Sequence, residues 1–163
     1  MDINIRALTI EDWPEVSAIY SHAINDGHFT FTDSCPTYEE WDSAHVKDCR
    51  YVITVDGTVA GWCALSPISP RKPYAGVSEV SIYVREDHRH QGIGTKLLNY
   101  LCRESPKLGY WSLYSIVFST NTASIKLHEK CGFRRIGYRE KIAKDVFGNW
   151  TDIFTYEKRS DLY

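Results

Sequence analysis

The sequence predicts one α/β (α+β) domain over residues 1–163, built on a single mixed sheet with helices packed on both faces. Three observations predict it. The segments follow one another as strand, two helices, a run of strands, helix, strand, helix and strands. Asp56-Gly57 joins two apolar runs as a two-residue hairpin turn. Near the middle of the chain a strand-like run ends in a glycine-containing turn that opens directly into a helical pattern.

Taken in order, residues 3–7 read as a short strand. Thr9 stands as the N-cap of the next helix, with Asp12 near its positive end and Pro14 tolerated in the first turn. Trp13, Val16, Tyr20 and Ala23 recur at helical spacing, and Asn25-Asp26-Gly27 stops the run. Thr37-Tyr38-Glu39-Glu40 is a capping box that starts a second helix running towards Cys49. Residues 51–55 and 58–65 form the hairpin, and Pro67, Pro70 and Pro73 punctuate a loop. Residues 77–84 alternate as a strand, with Val80, Ile82 and Val84 on one face and Glu79, Ser81 and Tyr83 on the other. A helix is predicted over 95–103, with an apolar stripe of Leu97, Leu98, Leu101 and Cys102. A buried strand follows over 113–118, then a helix over 122–130 with Gly132 as its left-handed C-terminal cap. Two strands, 141–147 and 150–156, close the chain around Gly148-Asn149.

Composition excludes several classes of function. A net charge of −2 supplies no electrostatic reason for a nucleic acid or an anionic membrane as partner. No apolar stretch reaches membrane-spanning length, and residues 1–6 carry no basic run backed by an apolar one, so neither a span nor a secretion signal is expected there. The five cysteines, Cys35, Cys49, Cys63, Cys102 and Cys131, form no C-x-x-C pair and no even framework; reduced thiols in a cytoplasmic protein fit them better than zinc or disulfides. His22, His28, His45, His88 and His90 have no metal-ligand spacing, and no metal is expected.

The most informative stretch is the strand over 77–84 followed by Arg89-His90-Gln91-Gly92-Ile93-Gly94-Thr95. Free amides at a helix start attract phosphate oxygens, and the helix dipole adds to that attraction. Glycine keeps side chains out of the anion's way, and Arg89 can add a charge-assisted bond. Gly94-Thr95-Lys96 reverses the order a Walker loop needs, and Leu97 stands where the dinucleotide fingerprint has its third glycine. Taken alone, the glycine pair is equally compatible with a plain strand-to-helix turn.

The Arg-x-x-Gly-x-Gly run from Arg89 to Gly94 resembles the coenzyme A loop of the GNAT superfamily of N-acetyltransferases. Asn121-Thr122-Ala123-Ser124, continuing through His128 to Gly132-Phe133, is similar to the Asn-x-x-Ser…Gly-Phe helix of that superfamily. Within it the chain resembles the phosphinothricin and methionine-sulfone acetyltransferase branch. The residues that carry this are Phe29-Thr30-Phe31-Thr32, Tyr38-Glu39-Glu40-Trp41, Arg71 and Tyr74 ahead of Glu79, Leu127-His128-Glu129, and Gly148-Asn149-Trp150-Thr151-Asp152. Two departures, the shifted Asp33-Ser34-Cys35-Pro36 and the small Ala75-Gly76, fall where the acceptor should bind.

The resemblance implies a mixed, mostly antiparallel sheet, splayed so that acetyl-CoA lies between the strands ending near Val84 and Phe118. It implies that Ile82, Tyr83 and Val84 pair through their backbones with the pantetheine arm. The segment Arg89, His90, Gln91, Gly92, Ile93, Gly94 and Thr95 would hold the diphosphate, and Asn121 and Ser124 would border the arm, Asn121 as a ligand or as a helix cap. It implies Glu79 as general base through a water, with a pKa raised by partial burial; the bland alternative is a solvated strand carboxylate. His128 is the candidate acid for the departing thiolate, or a histidine that merely packs on the cofactor. Backbone amides near residues 80–82 are candidates to polarise the thioester oxygen. Arg71 would take a carboxylate or phosphinate of the acceptor, with Phe31, Tyr74 and Trp150 lining its pocket or serving the core. The implied activity is N-acetylation of a small amino-acid-like amine by a homodimer. A peptide or protein N-acetyltransferase and a non-catalytic acyl-CoA-binding module are the alternatives.

Overall fold

The computed structural model describes residues 1–163, and its centre is a seven-stranded sheet. The strands are β1 (Ile3–Ala7), β2 (Tyr51–Val55), β3 (Thr58–Pro67), β4 (Val77–Val84), β5 (Ser112–Phe118), β6 (Arg134–Lys144) and β7 (Trp150–Arg159), in the spatial order β1-β2-β3-β4-β5-β7-β6. Every neighbouring pair is antiparallel except β4 and β5. The helices are α1 (Trp13–Asp26), α2 (Tyr38–Ala44), α3 (Ile93–Glu104) and α4 (Thr122–Lys130).

Local chemistry accounts for the boundaries. Asp56 and Gly57 both take positive φ, 50° and 84°, the handedness that lets a two-residue turn follow the twist of β2 and β3. The Thr37 side chain accepts the Glu40 amide while the Glu40 carboxylate accepts the Thr37 amide, which fixes the start of α2. Gly27 and Gly132 end α1 and α4 in the left-handed conformation.

β3 runs through the middle of the molecule. The side chains of Val59, Trp62 and Ala64 join a core with Val16 and Ile19 of α1 and Trp41 of α2. Those of Ala60, Cys63 and Leu65 join a second core with Ile93, Leu97, Leu98 and Leu101 of α3. The sheet is thus covered on both faces, and β3 reads as an almost unbroken apolar run for that reason. Trp62 is fully buried and meets Trp41, Tyr20 and Tyr83 at ring separations of 5.2–5.7 Å. Trp62→Ala is expected to cost about 3–5 kcal/mol of unfolding free energy by leaving a cavity there, read as a lower midpoint in denaturant titration.

Several boundaries differ from those the sequence suggests: α1 begins at Trp13 after a separate short turn over Ile10–Asp12, α3 begins at Ile93, and β3 and β7 run on to Pro67 and Arg159. α2 ends at Ala44, not near Cys49, because residues 45–50 are bent back by the Arg50 side chain: its guanidinium donates to Asp42 and to the Val46 and His45 carbonyls. β6 begins at Arg134 rather than at residue 141, since pairing with β7 and not apolar alternation defines it; it is an edge strand whose side chains are mostly exposed. Phe147 lies outside the strand, in a turn gathered on the Asp145 carboxylate, which accepts the Phe147 and Asn149 amides.

Candidate active site

The sheet opens where its one parallel pair comes apart. β4 and β5 pair only over residues 77–79 and 112–114, with Glu79 opposite Tyr114. Beyond that point β4 stays with β3 and β5 stays with β7, so the two strands diverge. Val80 and Ser115 are the first residues past the fork. Alternate N–H and C=O groups of residues 80–84 turn towards β3, and the remainder turn towards the gap with no strand to meet. The gap is the base of a cleft of about 750 Å³, walled by the start of α3 and by α4.

α3 starts bare. Gly92 is its N-cap at φ 78°, and no side chain caps the first turn, so the leading amides of the helix face the cleft unsatisfied. Gly94 leaves room directly beside them: a Cβ built there would sit 3.5 Å from the Leu127 and Val84 side chains. His90, at φ 63°, continues the left-handed turn ahead of Gly92. The Arg89 guanidinium lies 5.0 Å from the centre of the Phe29 ring and has no carboxylate partner. Gln91 donates to the Asp87 carbonyl and steadies the loop. Arg89, Lys126 and Lys130 line the cleft together with His88, His90 and His128, and no acidic side chain does. Bare helix amides beside Arg89, Lys126 and Lys130 favour a polyanion such as a diphosphate.

The α4 wall is a hydrogen-bonded unit. Asn121 Oδ1 accepts the Ser124 amide at 3.1 Å and caps the helix. His128 is buried, which pushes its imidazole below the ordinary histidine pKa. Its Nδ1 lies 2.8 Å from the Ser124 carbonyl oxygen, which can only accept, so Nδ1 carries the proton of the neutral ring. Nε2 is then an acceptor, and the Ser115 hydroxyl, 2.8 Å away, donates to it.

Glu79 sits one residue before the fork, on the opposite face of β4 from Val80. It is half-buried and has no hydrogen-bond partner in the protein; burial alone raises its pKa above the ordinary glutamate value. Its charge in turn raises the pKa of the Tyr83 and Tyr114 phenols, although burial is the larger cause for both. Phe31 closes this side, its ring 4.6 Å from that of Phe118. The structure therefore gathers Ile82, Tyr83, Val84, Arg89, His90, Gly92, Ile93, Gly94, Thr95, Asn121, Ser124 and His128 around one cleft, while Glu79 stands one residue before the fork on the other face of β4.

Arg71 and Tyr74 stand apart from that cleft. Both are exposed on the loop between β3 and β4, with the guanidinium 5.9 Å from the tyrosine ring centre. Trp150 is exposed on the β6–β7 hairpin beneath Lys144 and belongs to no core. Sequence reasoning passed over Lys126, Lys130 and Ser115. The two lysines recur four apart on α4, a spacing that puts them on one helix face; nothing local distinguishes Ser115.

Comparison with known proteins agrees with this geometry. Residues 11–133 match the family model described as Acetyltransferase (GNAT) family. The phosphinothricin N-acetyltransferase of Alcaligenes faecalis is 31% identical over 158 residues, covering 91% of this chain and 78% of that protein. The L-methionine sulfoximine/L-methionine sulfone acetyltransferase of Pseudomonas paraeruginosa (strain DSM 24068 / PA7) is 27% identical over 159 residues, covering 94% and 92%. In fold, the chain superposes on the Sinorhizobium meliloti phosphinothricin acetyltransferase solved in complex with acetyl-CoA at a TM-score of 0.87, with 23% identity over 98% of this chain and 89% of that one. A parallel pair that splays beside a bare helix start, and a family match over most of the length, lead to one conclusion: this chain is an acetyltransferase and belongs to the GNAT family.

Proposed function

We propose that the protein moves the acetyl group of acetyl-CoA to the primary amine of a small amino-acid-like acceptor of the phosphinothricin or methionine sulfone and sulfoximine type. The observation that carries this reading is the fork between β4 and β5, which has a cationic, carboxylate-free cleft on one face and an unpartnered glutamate on the other. The diphosphate sits on the amides of residues 92–95 with Arg89 above it. Residues 82–84 pair with the pantetheine arm as an added strand would. The thioester then arrives at the fork, where an amide of residues 80–82 polarises its carbonyl oxygen.

The acceptor enters from the Glu79 face, between Tyr83, Tyr114 and Phe31. Arg71, which has no carboxylate partner, takes the acceptor's anionic group, with Tyr74 beside it. Glu79 removes the ammonium proton through a water, and the freed amine attacks the carbonyl carbon. The C–S bond breaks, and the second proton of the attacking nitrogen leaves with the sulfur. As the acid for that sulfur, His128 would first have to take up another proton, which its burial opposes. Positioning of both reactants is the larger part of the rate gain.

The same reading places the enzyme in the cytoplasm, where its five thiols stay reduced. It also makes the enzyme a homodimer through the β6–β7 hairpin, where Tyr138 of β6, Phe147 of the turn and Trp150 of β7 lie open. The test is free-thiol release from acetyl-CoA in the presence of an amino-acid panel and, separately, of peptides. Release is expected with methionine sulfone, methionine sulfoximine or phosphinothricin. Release with peptides alone overturns the choice of acceptor, and tight coenzyme binding without release for any amine overturns transfer.

A further inference from the structure

Ser115 has no part in the transfer just described, yet it stands at the fork. It is the first residue of β5 beyond the last pair with β4, and it lines the cleft opposite Val80. Its hydroxyl has one partner, His128 Nε2 at 2.8 Å, and both residues are 2% exposed. The direction of that bond follows from the far side of the ring. The Ser124 carbonyl holds the imidazole proton on Nδ1, so Nε2 presents a lone pair and the serine proton points at it. This is the polarity that activates a hydroxyl as a nucleophile, with a carbonyl in place of the carboxylate that usually orients the imidazole. It is the wrong polarity for delivering a proton to sulfur.

We propose that Ser115 is a second nucleophile in the cleft, one that takes the acetyl group when no amine is present and makes the protein a slow acetyl-CoA hydrolase. The inference rests on acetyl-CoA occupying the fork. Ser115 Oγ attacks the thioester carbon and its proton passes to His128 Nε2. The C–S bond breaks, the imidazolium proton goes to the departing sulfur, and coenzyme A leaves as the free thiol. Water then adds to the acetyl-serine ester and gives one proton to Nε2. The C–O bond to Ser115 breaks, the serine recovers that proton, and acetic acid leaves with the water's other proton, which it then loses to solvent. A carbonyl stabilises the imidazolium less than a carboxylate would, so the hydrolysis is slow beside transfer to a bound amine.

The experiment follows thiol release from acetyl-CoA without amine in the wild type and in Ser115→Ala. Acid-quenched wild-type protein is digested in parallel, and the peptide spanning Ser115 is weighed. The alanine variant is expected to lose amine-free hydrolysis by a factor on the order of 10², and the wild-type peptide is expected to carry one acetyl group on Ser115. Hydrolysis at the wild-type rate in the folded alanine variant overturns the proposal. If that variant fails to fold, the wild-type peptide decides alone: acetyl on Ser115 supports the proposal and its absence overturns it. Thiol release that occurs only with amine present sinks this inference and leaves the transferase reading standing. Release that no amine accelerates does the reverse, provided that it needs Ser115.

Discussion

Replacement of Glu79 by glutamine is expected to lower kcat by about 10²–10⁴-fold, the usual contribution of a positioned general base, while acetyl-CoA binds as before. The split is expected because Glu79 lies across β4 from the cleft that would hold the coenzyme. The pH profile carries the same signature. The base must be ionised to act, and burial raises its pKa, so the acid limb of kcat/KM is expected above the ordinary carboxylate range and is expected to vanish in Glu79→Gln. Stability moves in the opposite direction. A carboxyl whose folded pKa is raised favours the folded state only while protonated, and that advantage is lost as pH rises through the unfolded and then the folded value. At neutral pH the glutamine variant is therefore expected to melt above the wild type, with the difference closing in acid. A variant that is slower and more stable, with coenzyme affinity intact, fits a base held at some cost to the fold.

Gly94→Val is expected to weaken acetyl-CoA binding by about 10- to 100-fold, the equivalent of losing one charge-assisted hydrogen bond worth about 1.5–3 kcal/mol. A single added carbon at this position meets Leu127 and Val84 at ordinary contact distance, 3.5 Å, so Gly94→Ala is expected to fold and to bind with a smaller loss. Valine adds two further carbons beyond that contact, at a residue that lines the cleft beside the first amides of α3. Gly92 answers to a different constraint: a Cβ there meets nothing, but φ is 78°, which an L side chain adopts only under strain. Its replacement is expected to disturb the loop itself, with loss of thermal stability accompanying loss of binding. Titration calorimetry with acetyl-CoA alongside thermal melting separates the two.

Much of the architecture was legible because local chemistry agreed with the final packing. Asp56-Gly57, the Thr37 capping box, Gly27 and Gly132 each dictate a dihedral or a bond that tertiary contacts leave in place. The alternation over residues 77–84 was legible for the same reason: Val80 and Ile82 meet the α3 core while Tyr83 meets Trp62 on the other face. β6 was legible only in part, since Arg134 and Arg135 owe their strand conformation to β7 and to partners distant in sequence, Glu157 and Tyr156. Within the site, Gly92 announces itself because its left-handed φ favours glycine, and Gly94 because it stands two residues on in the same turn. Ser115 does not: a serine in a strand is unremarkable until the fold brings His128, thirteen residues on, against its hydroxyl. The loop that carries Arg71 and Tyr74 was legible from Pro67, Pro70 and Pro73; their exposure on it is seen only in the fold.

The central claim is that the divergence of β4 from β5, together with the uncapped start of α3, forms the seat of acetyl-CoA. Amide hydrogen exchange with and without acetyl-CoA tests it most directly. Slowed exchange is expected at residues 82–84 and 92–96, with the β6–β7 hairpin unaffected at constant oligomeric state. Protection elsewhere on the surface, or none at saturating coenzyme, contradicts the claim.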